Sequence, residues 1–269
     1  MSDDPSAGNS PPANISPLDH ALLRAAFAGL RLGHPLIYFP ALDSTNSYAA
    51  ALARAGAAAG TLVTTDDQTA GRGRIGRAWK SLPGHQLALS LVLRPAFPPH
   101  FLVMASALAV AEAIETVAGL TPAIKWPNDV LVDGRKVCGI LIETSSGIAI
   151  LGIGLNVNGS LVGDAELASR ATTLAEAAGR DLSREDLAIA LIRRLDELYT
   201  LLASGGTAAR EQVRGTWRGR LVTLGWRVSI RQNGAEIAGT AEDVDADGAL
   251  LLRRDDGTLQ TITWGDVSS

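Results

Sequence analysis

One turn limits how the main sheet of this chain can be built. Asp133-Gly134 separates two apolar strands, "VLV" and "RKVCGILIE", and this dipeptide is typical of the type I′ turn of a two-residue hairpin. The two strands are therefore predicted to be antiparallel, which argues against an all-parallel, doubly wound sheet. Helical and strand patterns mix along the rest of the chain, so the sequence predicts an α+β fold with a mixed sheet flanked by helices.

The composition along the 269 residues predicts three parts. Residues 1–17 are rich in Pro, Ser, Asn and Asp and are expected to be a disordered tail. Residues 18–215 are expected to form the large domain, with helices over 18–32 and 101–118 and a long helix that begins at Ser183. Residues 216–269 contain short strands at hairpin spacing, which predict a small β-barrel.

Composition also restricts the compartment and the partners. Cys138 is the single cysteine, so no intramolecular disulfide can form, and a reducing compartment, the cytoplasm, is expected. A net charge of −4 argues against a general nucleic-acid binder. No run approaches the roughly 18 uninterrupted apolar residues of a membrane span, so we expect no membrane association.

The stretch "AGRGRIGRAW", residues 70–79, contains the pattern G-x-G-x-x-G. A dinucleotide fingerprint requires a helix directly after the glycines, but here the next predicted element is a strand. A P-loop would need glycines where Arg74 and Trp79 stand, and an RNA-binding tract would be longer and repeated. We interpret the segment as a loop in which Arg72, Arg74 and Arg77 bind a polyanion.

Lysine occurs only at positions 80, 125 and 136. Lys136 alternates with Cys138, Ile140 and Ile142, which places its ammonium on the face of the strand that these apolar residues define. A lysine at the rim of an apolar face can extend its charge to solvent. A ligand carboxylate on that face explains the lysine better.

Three polar residues follow apolar strands or precede them. Asn128 and Asp129 lie in "KWPND", where either residue can form a turn or contact a ligand. Asn156 ends the apolar strand in "GLNVN" and has the same two interpretations.

Five segments in this order resemble the biotin protein ligase family: "DSTN" (43–46), "QTAGRGRIGRAW" (68–79), "KWPND" (125–129), "GRKVCGILIE" (134–143) and "GLNVN" (154–158). The resemblance covers the chain from about residue 36 onward. It implies a catalytic domain like that of class II aminoacyl-tRNA synthetases, followed by a small Src-homology-3-like β-barrel. In the loop, Ile75 stands where the family often has arginine, which puts one contact in doubt.

The resemblance also implies a reaction. The family uses ATP, with Mg²⁺, to activate biotin as biotinyl-5′-AMP, and then transfers biotin to one lysine of a biotin carboxyl carrier protein. A homodimer is a further expectation from the family. Since the DNA-binding domain of the bifunctional repressor-ligases is missing, no nucleic acid is expected as a partner.

The resemblance assigns roles to individual residues. The biotin-binding set is Ser44, Thr45, Asn46, Gln68, Gly71, Arg72, Arg74, Lys136 and Gly139. The nucleotide-binding set is Arg72, Arg74, Arg77, Trp79, Asn128, Lys136 and Asn156. The residues expected to act in catalysis are Lys136, Arg74 and Asp129, and metal ligands are not assigned.

Two other functions remain open. A lipoate or octanoate ligase has the same architecture and adenylate chemistry, although the polar set from Ser44 to Gln68 favours biotin. A non-catalytic biotin sensor or repressor partner is the other alternative; no DNA-reading element is visible in the sequence, and the net charge of −4 argues against it.

Overall fold

The structure is a computed structural model that describes residues 16–80, 82–161, 165–232 and 235–268. The predicted disordered tail, residues 1–17, lies outside the described residues except for its last two.

A seven-stranded mixed sheet forms the centre of the molecule. Its strands are β1 (Leu36–Leu42), β2 (Leu62–Gln68), β3 (Gln86–Leu93), β4 (Ala123–Lys125), β5 (Asp129–Val132), β6 (Arg135–Ser145) and β7 (Ile148–Asn156). The spatial order is β1-β2-β3-β7-β6-β5-β4. β1 and β2 are parallel, and the other described neighbours are antiparallel. Asp133 (φ 49°) and Gly134 (φ 74°) have the left-handed conformation of a type I′ turn, so the predicted hairpin is confirmed.

Seven helices accompany the strands in the described residues. They are α1 (His20–Ala26), α2 (Thr45–Arg54), α3 (His100–Ala118), α4 (Ala165–Ala168), α5 (Leu174–Ala178), α6 (Arg184–Ser204) and α7 (Gly206–Arg218). The helices predicted over 101–118 and from Ser183 are α3 and α6. The helix expected over 18–32 is shorter, because Asp19 caps its first turn and the chain leaves the helix at Phe27. The short helices α4 and α5 were not predicted.

The two faces of the large sheet are covered differently. One face packs against α3 and α6 in the main apolar core, which includes Leu87, Leu91 and Ile153. On the other face, α2 places Ala49 and Ala53 against Val63, Val92 and Ile150. Because α2 has only ten residues, it covers one end of this second face, and the rest is available to a loop and to ligands.

The apolar composition of α3 fits its buried position in the core. By length and composition alone this helix could cross a membrane, although Glu112 and Glu115 interrupt its apolar run. Within the protein, 67% of its most apolar window is buried. Its side chains therefore pack in the core between the sheet and α6.

A second, antiparallel sheet lies at the end of the chain. Its strands are β8 (Arg227–Gln232), β9 (Ala235–Val244), β10 (Leu250–Arg253), β11 (Leu259–Ile262) and β12 (Asp266–Ser268), in the order β11-β10-β9-β8-β12. This is the small β-unit that the strand spacing predicted and that the resemblance implied to be Src-homology-3-like. The predicted boundary at residue 216 falls in the last turn of α7, and the division at that position stays a prediction.

A buried ion pair joins the start of α6 to the large sheet. The Arg184 guanidinium donates to Asp66 over 2.7 Å and to the backbone oxygen of Gln86 over 3.3 Å. The second Asp66 oxygen accepts the Tyr38 hydroxyl. Burial and this hydrogen bond raise the pKa of Tyr38 to about 12. Asp66 and Arg184 are both buried, so each depends on its partners for its hydrogen bonds.

We predict that Arg184→Met lowers the free energy of unfolding by about 3–5 kcal/mol, because Asp66 keeps a buried charge without its partner. Urea unfolding followed by circular dichroism measures the change. Arg227→Met is the matched control, since the Arg227–Asp255 pair is exposed and should contribute little. Equal effects of the two substitutions would contradict the prediction.

Candidate functional site

The glycine-arginine loop connects β2 to β3 and folds back on itself. Arg72 pairs with Ala78 as an isolated antiparallel bridge, and the backbone N–H of Trp79 donates to the Gly71 carbonyl over 2.9 Å. A single 3₁₀ turn, Arg74–Gly76, forms the tip. The chain then proceeds to β3 without an α-helix, so the rejection of a dinucleotide fingerprint is confirmed.

The tip of the loop carries an unusual residue. Ile75 has φ 54° and ψ 39°, and its side chain is 58% exposed. A β-branched residue rarely adopts this left-handed conformation, so the loop contains backbone strain at its tip.

Trp79 anchors the end of the loop on the open face of the sheet. Its indole N–H donates to the Gln86 side chain over 3.1 Å. The ring lies against Gly154 of β7 and Gly139 of β6, which are paired neighbours in the sheet. A Cβ atom on Gly154 would lie 2.7 Å from the ring, so glycine is required for this close approach.

A polar cluster lies where α2 begins. The Thr45 backbone and hydroxyl both donate to Gln68 Oε1, over 2.9 and 3.0 Å. The Ser90 hydroxyl lies 2.7 Å from Thr45 Oγ1 and 2.6 Å from Asn46 Oδ1. Ser44 caps α2 by accepting from the Ser47 N–H. The predicted residues Ser44, Thr45, Asn46 and Gln68 are therefore brought together, and Ser90 joins them.

Lys136 lies on the opposite face of β6 from the one predicted. Cys138 and Ile140 belong to the main core, where burial raises the pKa of the Cys138 thiol. The Lys136 ammonium instead lies 5.7 Å from the centre of the Trp79 ring, beside Gly139.

The cause is a β-bulge. Val130 of β5 pairs with Cys138, and Leu131 pairs with Lys136, so Val137 is the extra residue. A bulge interrupts the two-residue alternation of a strand. The sequence-based placement, which assumed uninterrupted alternation, was wrong.

Two further contacts hold the predicted residues near Lys136. The Lys136 ammonium lies 2.7 Å from an Asp129 carboxylate oxygen. Asn128 accepts from the Arg74 guanidinium over 2.7 Å and donates to the Ile140 carbonyl over 2.7 Å. Asn128 therefore bridges the loop and the sheet rather than forming a simple Asx turn.

Three adjoining cavities run along this face. The inner pocket is lined by Ser44, Thr45, Asn46, Gln68, Arg72, Gly73, Arg74, Trp79, Leu89, Asn128, Gly139, Ile140, Leu141, Gly152, Ile153 and Gly154. The outer cleft, of about 600 Å³, is lined by Arg74, Arg77, Lys125, Trp126, Pro127, Asn128, Asp129, Leu131, Gly134, Lys136, Leu167, Ser169, Arg170, Ala171 and Val267. The side pocket, of about 250 Å³, is lined by Ala78, Trp79, Lys80, Lys136, Asn156, Leu161, Glu166, Leu167, Arg170 and Ala171.

The cavities differ in charge. The inner pocket has mainly neutral polar and apolar walls, with Arg72 and Arg74 on its loop side. The outer cleft has five cationic side chains and, among the described residues that line it, one carboxylate, that of Asp129. Such a cleft attracts a polyanion such as a phosphate chain. Lys136 lines both the outer cleft and the side pocket, where it is joined by Asn156.

Sequence reasoning missed several residues of the site. Glu143 accepts from Arg72 and from Asn46, Gln86 holds Trp79, and Arg170 lines two of the cavities. Glu143 lies two strand periods beyond Gly139 on the same face, so strand alternation after the bulge could have identified it. Arg170 is held beside Lys136 by backbone hydrogen bonds: the Lys136 N–H donates to the Arg170 carbonyl, and the Thr172 N–H donates to the Lys136 carbonyl. Local sequence patterns do not reveal this pairing.

Comparison with known proteins gives a consistent result. Residues 38–160 match the Biotin/lipoate A/B protein ligase family, and residues 223–268 match the Biotin protein ligase C terminal domain. A Bifunctional ligase/repressor from Bacillus subtilis is 36% identical over 88% of this chain and 74% of that protein.

Two further matches extend over nearly the whole of the other protein. A Biotin–[acetyl-CoA-carboxylase] ligase from Mycobacterium tuberculosis is 33% identical over 93% of this chain and 95% of that protein. A solved biotin protein ligase from Aquifex aeolicus, in complex with biotin and ATP, has a TM-score of 0.77 and 30% identity, and the match covers 87% of this chain and 98% of that one.

We predict that Gly154→Ala loosens the loop, because the added methyl carbon would meet the Trp79 ring at 2.7 Å. Trypsin should then cleave at the loop arginines several-fold faster, as followed by mass spectrometry. Gly215→Ala in α7 is the control, since an added methyl group there meets no atom within 4 Å beyond the backbone of its own helix. Equal cleavage rates in the two variants would contradict the role assigned to Gly154.

Proposed function

This chain belongs to the biotin protein ligase family, and we propose which of its residues bind the two substrates and perform each step. It is an ATP-dependent biotin–[acetyl-CoA-carboxylase] ligase, which activates biotin as biotinyl-5′-AMP and then transfers biotin to a protein lysine. The observation that carries the assignment of residues is the position of Lys136, which lines the cationic outer cleft and the side pocket and lies beside Gly139 of the inner pocket.

Biotin occupies the inner pocket in this proposal. Its ureido ring has two N–H donors and one carbonyl acceptor, which suit the hydroxyl and amide groups of Thr45, Asn46 and Gln68. The ring lies over Leu141 and Gly152, and the valeryl chain runs past Gly139 toward Lys136. Ser44 and Gly71 shape the pocket through the helix cap and the loop closure.

ATP occupies the outer cleft and the side pocket. The phosphates lie among Arg74, Arg77 and Lys136, where the charges of the cleft offset theirs. The adenine packs near Trp79 in the side pocket, and Asn156 supplies a polar contact there. Asn128 holds Arg74 in the cleft.

In the first step a biotin carboxylate oxygen attacks the α-phosphorus of ATP. The new C–O–P bond forms as the bond to the β-phosphate breaks, and pyrophosphate leaves. Two unit anions 4 Å apart repel by about 4 kcal/mol at an effective dielectric of 20. Lys136, Arg72 and Arg74 lower this cost, more strongly when the loop excludes water.

Mg²⁺ is included in the proposal as a companion of the ATP phosphates. Among the described residues, no group of three or more His, Cys, Asp or Glu side chains could form a metal cage. Mg²⁺ usually keeps several waters and binds through substrate phosphates and one or two carboxylates. The ion would therefore be held mainly by the phosphates and by water in the outer cleft. The ion would neutralise phosphate charge.

In the second step the acceptor lysine amine attacks the biotinyl carbon. The new amide bond forms as the C–O bond to AMP breaks, and the amine loses a proton. A free lysine with a pKa of about 10.4 must be deprotonated first, which costs roughly 4.6 kcal/mol at pH 7. Asp129, which already contacts Lys136, orients this amine or accepts its proton.

The remaining parts of the proposal concern the setting of the reaction. The acceptor is a biotin carboxyl carrier protein domain, and the enzyme acts in the cytoplasm as a homodimer, without a nucleic-acid partner. The catalytic unit is residues 18–215, and residues 216–269 form the C-terminal unit. Gly265 of the C-terminal unit accepts from Arg74 over 3.2 Å, which supports a contribution of this unit to the closed loop.

Pyrophosphate exchange into ATP tests the substrate assignment, because it requires no carrier protein. We expect exchange with biotin and none with lipoate or octanoate. Lys136→Gln should abolish the exchange, because the cation between the carboxylate and the α-phosphate is lost. Exchange with lipoate or octanoate, or unchanged exchange in Lys136→Gln, would contradict the proposal.

For the transfer step, we predict that Asp129→Asn forms biotinyl-AMP at a rate close to that of the wild type but transfers it at least tenfold more slowly, since general-base groups typically contribute 10²–10⁴-fold. Single-turnover transfer to a carrier domain measures the second step separately. Transfer at the wild-type rate would remove Asp129 from the mechanism.

A further inference from the structure

Glu143 connects two parts of the site that are far apart in the sequence. Its Oε2 oxygen accepts from Asn46 Nδ2, at the start of α2, over 2.9 Å. The same oxygen accepts from the Arg72 guanidinium, in the glycine-arginine loop, over 3.0 Å. We propose that Glu143 is a positioning residue that sets the hydrogen-bond direction in the biotin pocket and couples biotin binding to loop closure. This inference rests on the proposed placement of biotin in the inner pocket.

A carboxylate at position 143 determines how the Asn46 amide is oriented. An ionised carboxylate can only accept hydrogen bonds, so the Asn46 NH₂ group must face Glu143. Asn46 Oδ1 must then face the Ser90 hydroxyl, 2.6 Å away. Gly152 lies directly beneath this amide, where a Cβ atom would be 2.2 Å from Oδ1, so the glycine leaves room for that arrangement.

With Asn46 in this orientation, the cluster has fewer hydroxyl protons than contacts that need one. Asn46 Oδ1 and Gln68 Oε1 are both acceptors, and two hydroxyl groups, of Thr45 and Ser90, can donate to them. Two hydroxyl protons serve three contacts, to Gln68, to Asn46 and between the two hydroxyls, so one of the three contacts has no proton. The cluster therefore has unused acceptor capacity, which an N–H group of the biotin ureido ring can satisfy.

A glutamine at position 143 would remove this constraint. Its NH₂ group can donate to Asn46 Oδ1, which allows the Asn46 amide to reverse and to donate to Ser90. Ser90 can then donate to Thr45, so every contact in the cluster has a proton before biotin arrives. We therefore expect glutamine to weaken the binding of biotin although its shape is close to that of glutamate.

The second contact of Glu143 acts on the loop. The Arg72 and Glu143 side chains are 47% and 38% exposed, and an ion pair this exposed contributes little to stability. Its role is geometric, because it fixes Arg72 over the same end of the pocket as Asn46. Biotin that orders Asn46 and Glu143 thereby also favours the closed position of the loop.

The test is Glu143→Gln, studied by calorimetry with biotin alone and with ATP alone. We expect the Kd of biotin to rise about tenfold, which corresponds to the loss of about one hydrogen bond. The Kd of ATP should stay within about twofold, a split that a general structural defect would not produce. Glu143→Asp, which keeps an acceptor-only group, should bind biotin more tightly than Glu143→Gln. Glu242→Gln is the control, since Glu242 forms a similarly exposed pair with Arg253 in the C-terminal sheet.

The coupling to the loop is tested by the rate at which biotinyl-AMP leaves the enzyme. Glu143→Gln and Arg72→Gln should each accelerate release, and their effects should be less than additive in the double variant, because both changes break the Arg72–Glu143 contact. Additive effects, or an unchanged Kd of biotin in Glu143→Gln, would overturn the inference.

A further variant separates this inference from the placement of biotin. If Asn46→Ala binds biotin as the wild type does, the placement of biotin in the inner pocket is wrong and the inference fails with it. If Asn46→Ala weakens the binding of biotin and Glu143→Gln does not, only the role of Glu143 is overturned.

Discussion

The site depends on the unequal covering of the two faces of the large sheet. Apolar side chains on one face are buried by α3 and α6 in the main core. The other face is covered by α2 at one end only. On the rest of it, glycines 139, 152 and 154 carry no side chain, so ligands and side chains can approach the backbone closely. An indole ring and an amide lie directly on the backbone there. Because the other face of the sheet is packed in the core, the loop can close over a flat ligand on this open face without a change in the core.

The extra residue Val137 determines on which face of the sheet Lys136 lies. Without the bulge, Lys136 would share the face of Cys138, in the apolar core. With the bulge, its ammonium lies beside Asp129 and the Trp79 ring, where the inner pocket, the outer cleft and the side pocket adjoin. One irregularity in one strand thus brings a cation to the place where, in the proposed placement of the substrates, the carboxylate and the phosphate meet.

The sequence predicted features that depend on local residues, and it missed those that depend on strand register. The Asp133-Gly134 turn, the long helices and the absence of a helix after the glycine-arginine loop follow from local patterns, and the structure confirms them. The face of Lys136 was wrong because a bulge reflects the pairing with β5, which local alternation does not reveal. Glu143 was missed because its partners, Asn46 and Arg72, are 97 and 71 residues away. The individual roles of the site residues stay predictions.

The most direct test of the account is a crystal structure of the protein with biotin and a non-hydrolysable ATP analogue. We expect the ureido ring at Thr45 and Gln68, and the Lys136 ammonium within about 3.2 Å of both the biotin carboxylate and the α-phosphate. Biotin bound outside the inner pocket, or Lys136 turned toward the core beside Cys138, would contradict the claim that the bulge places this lysine between the two substrates.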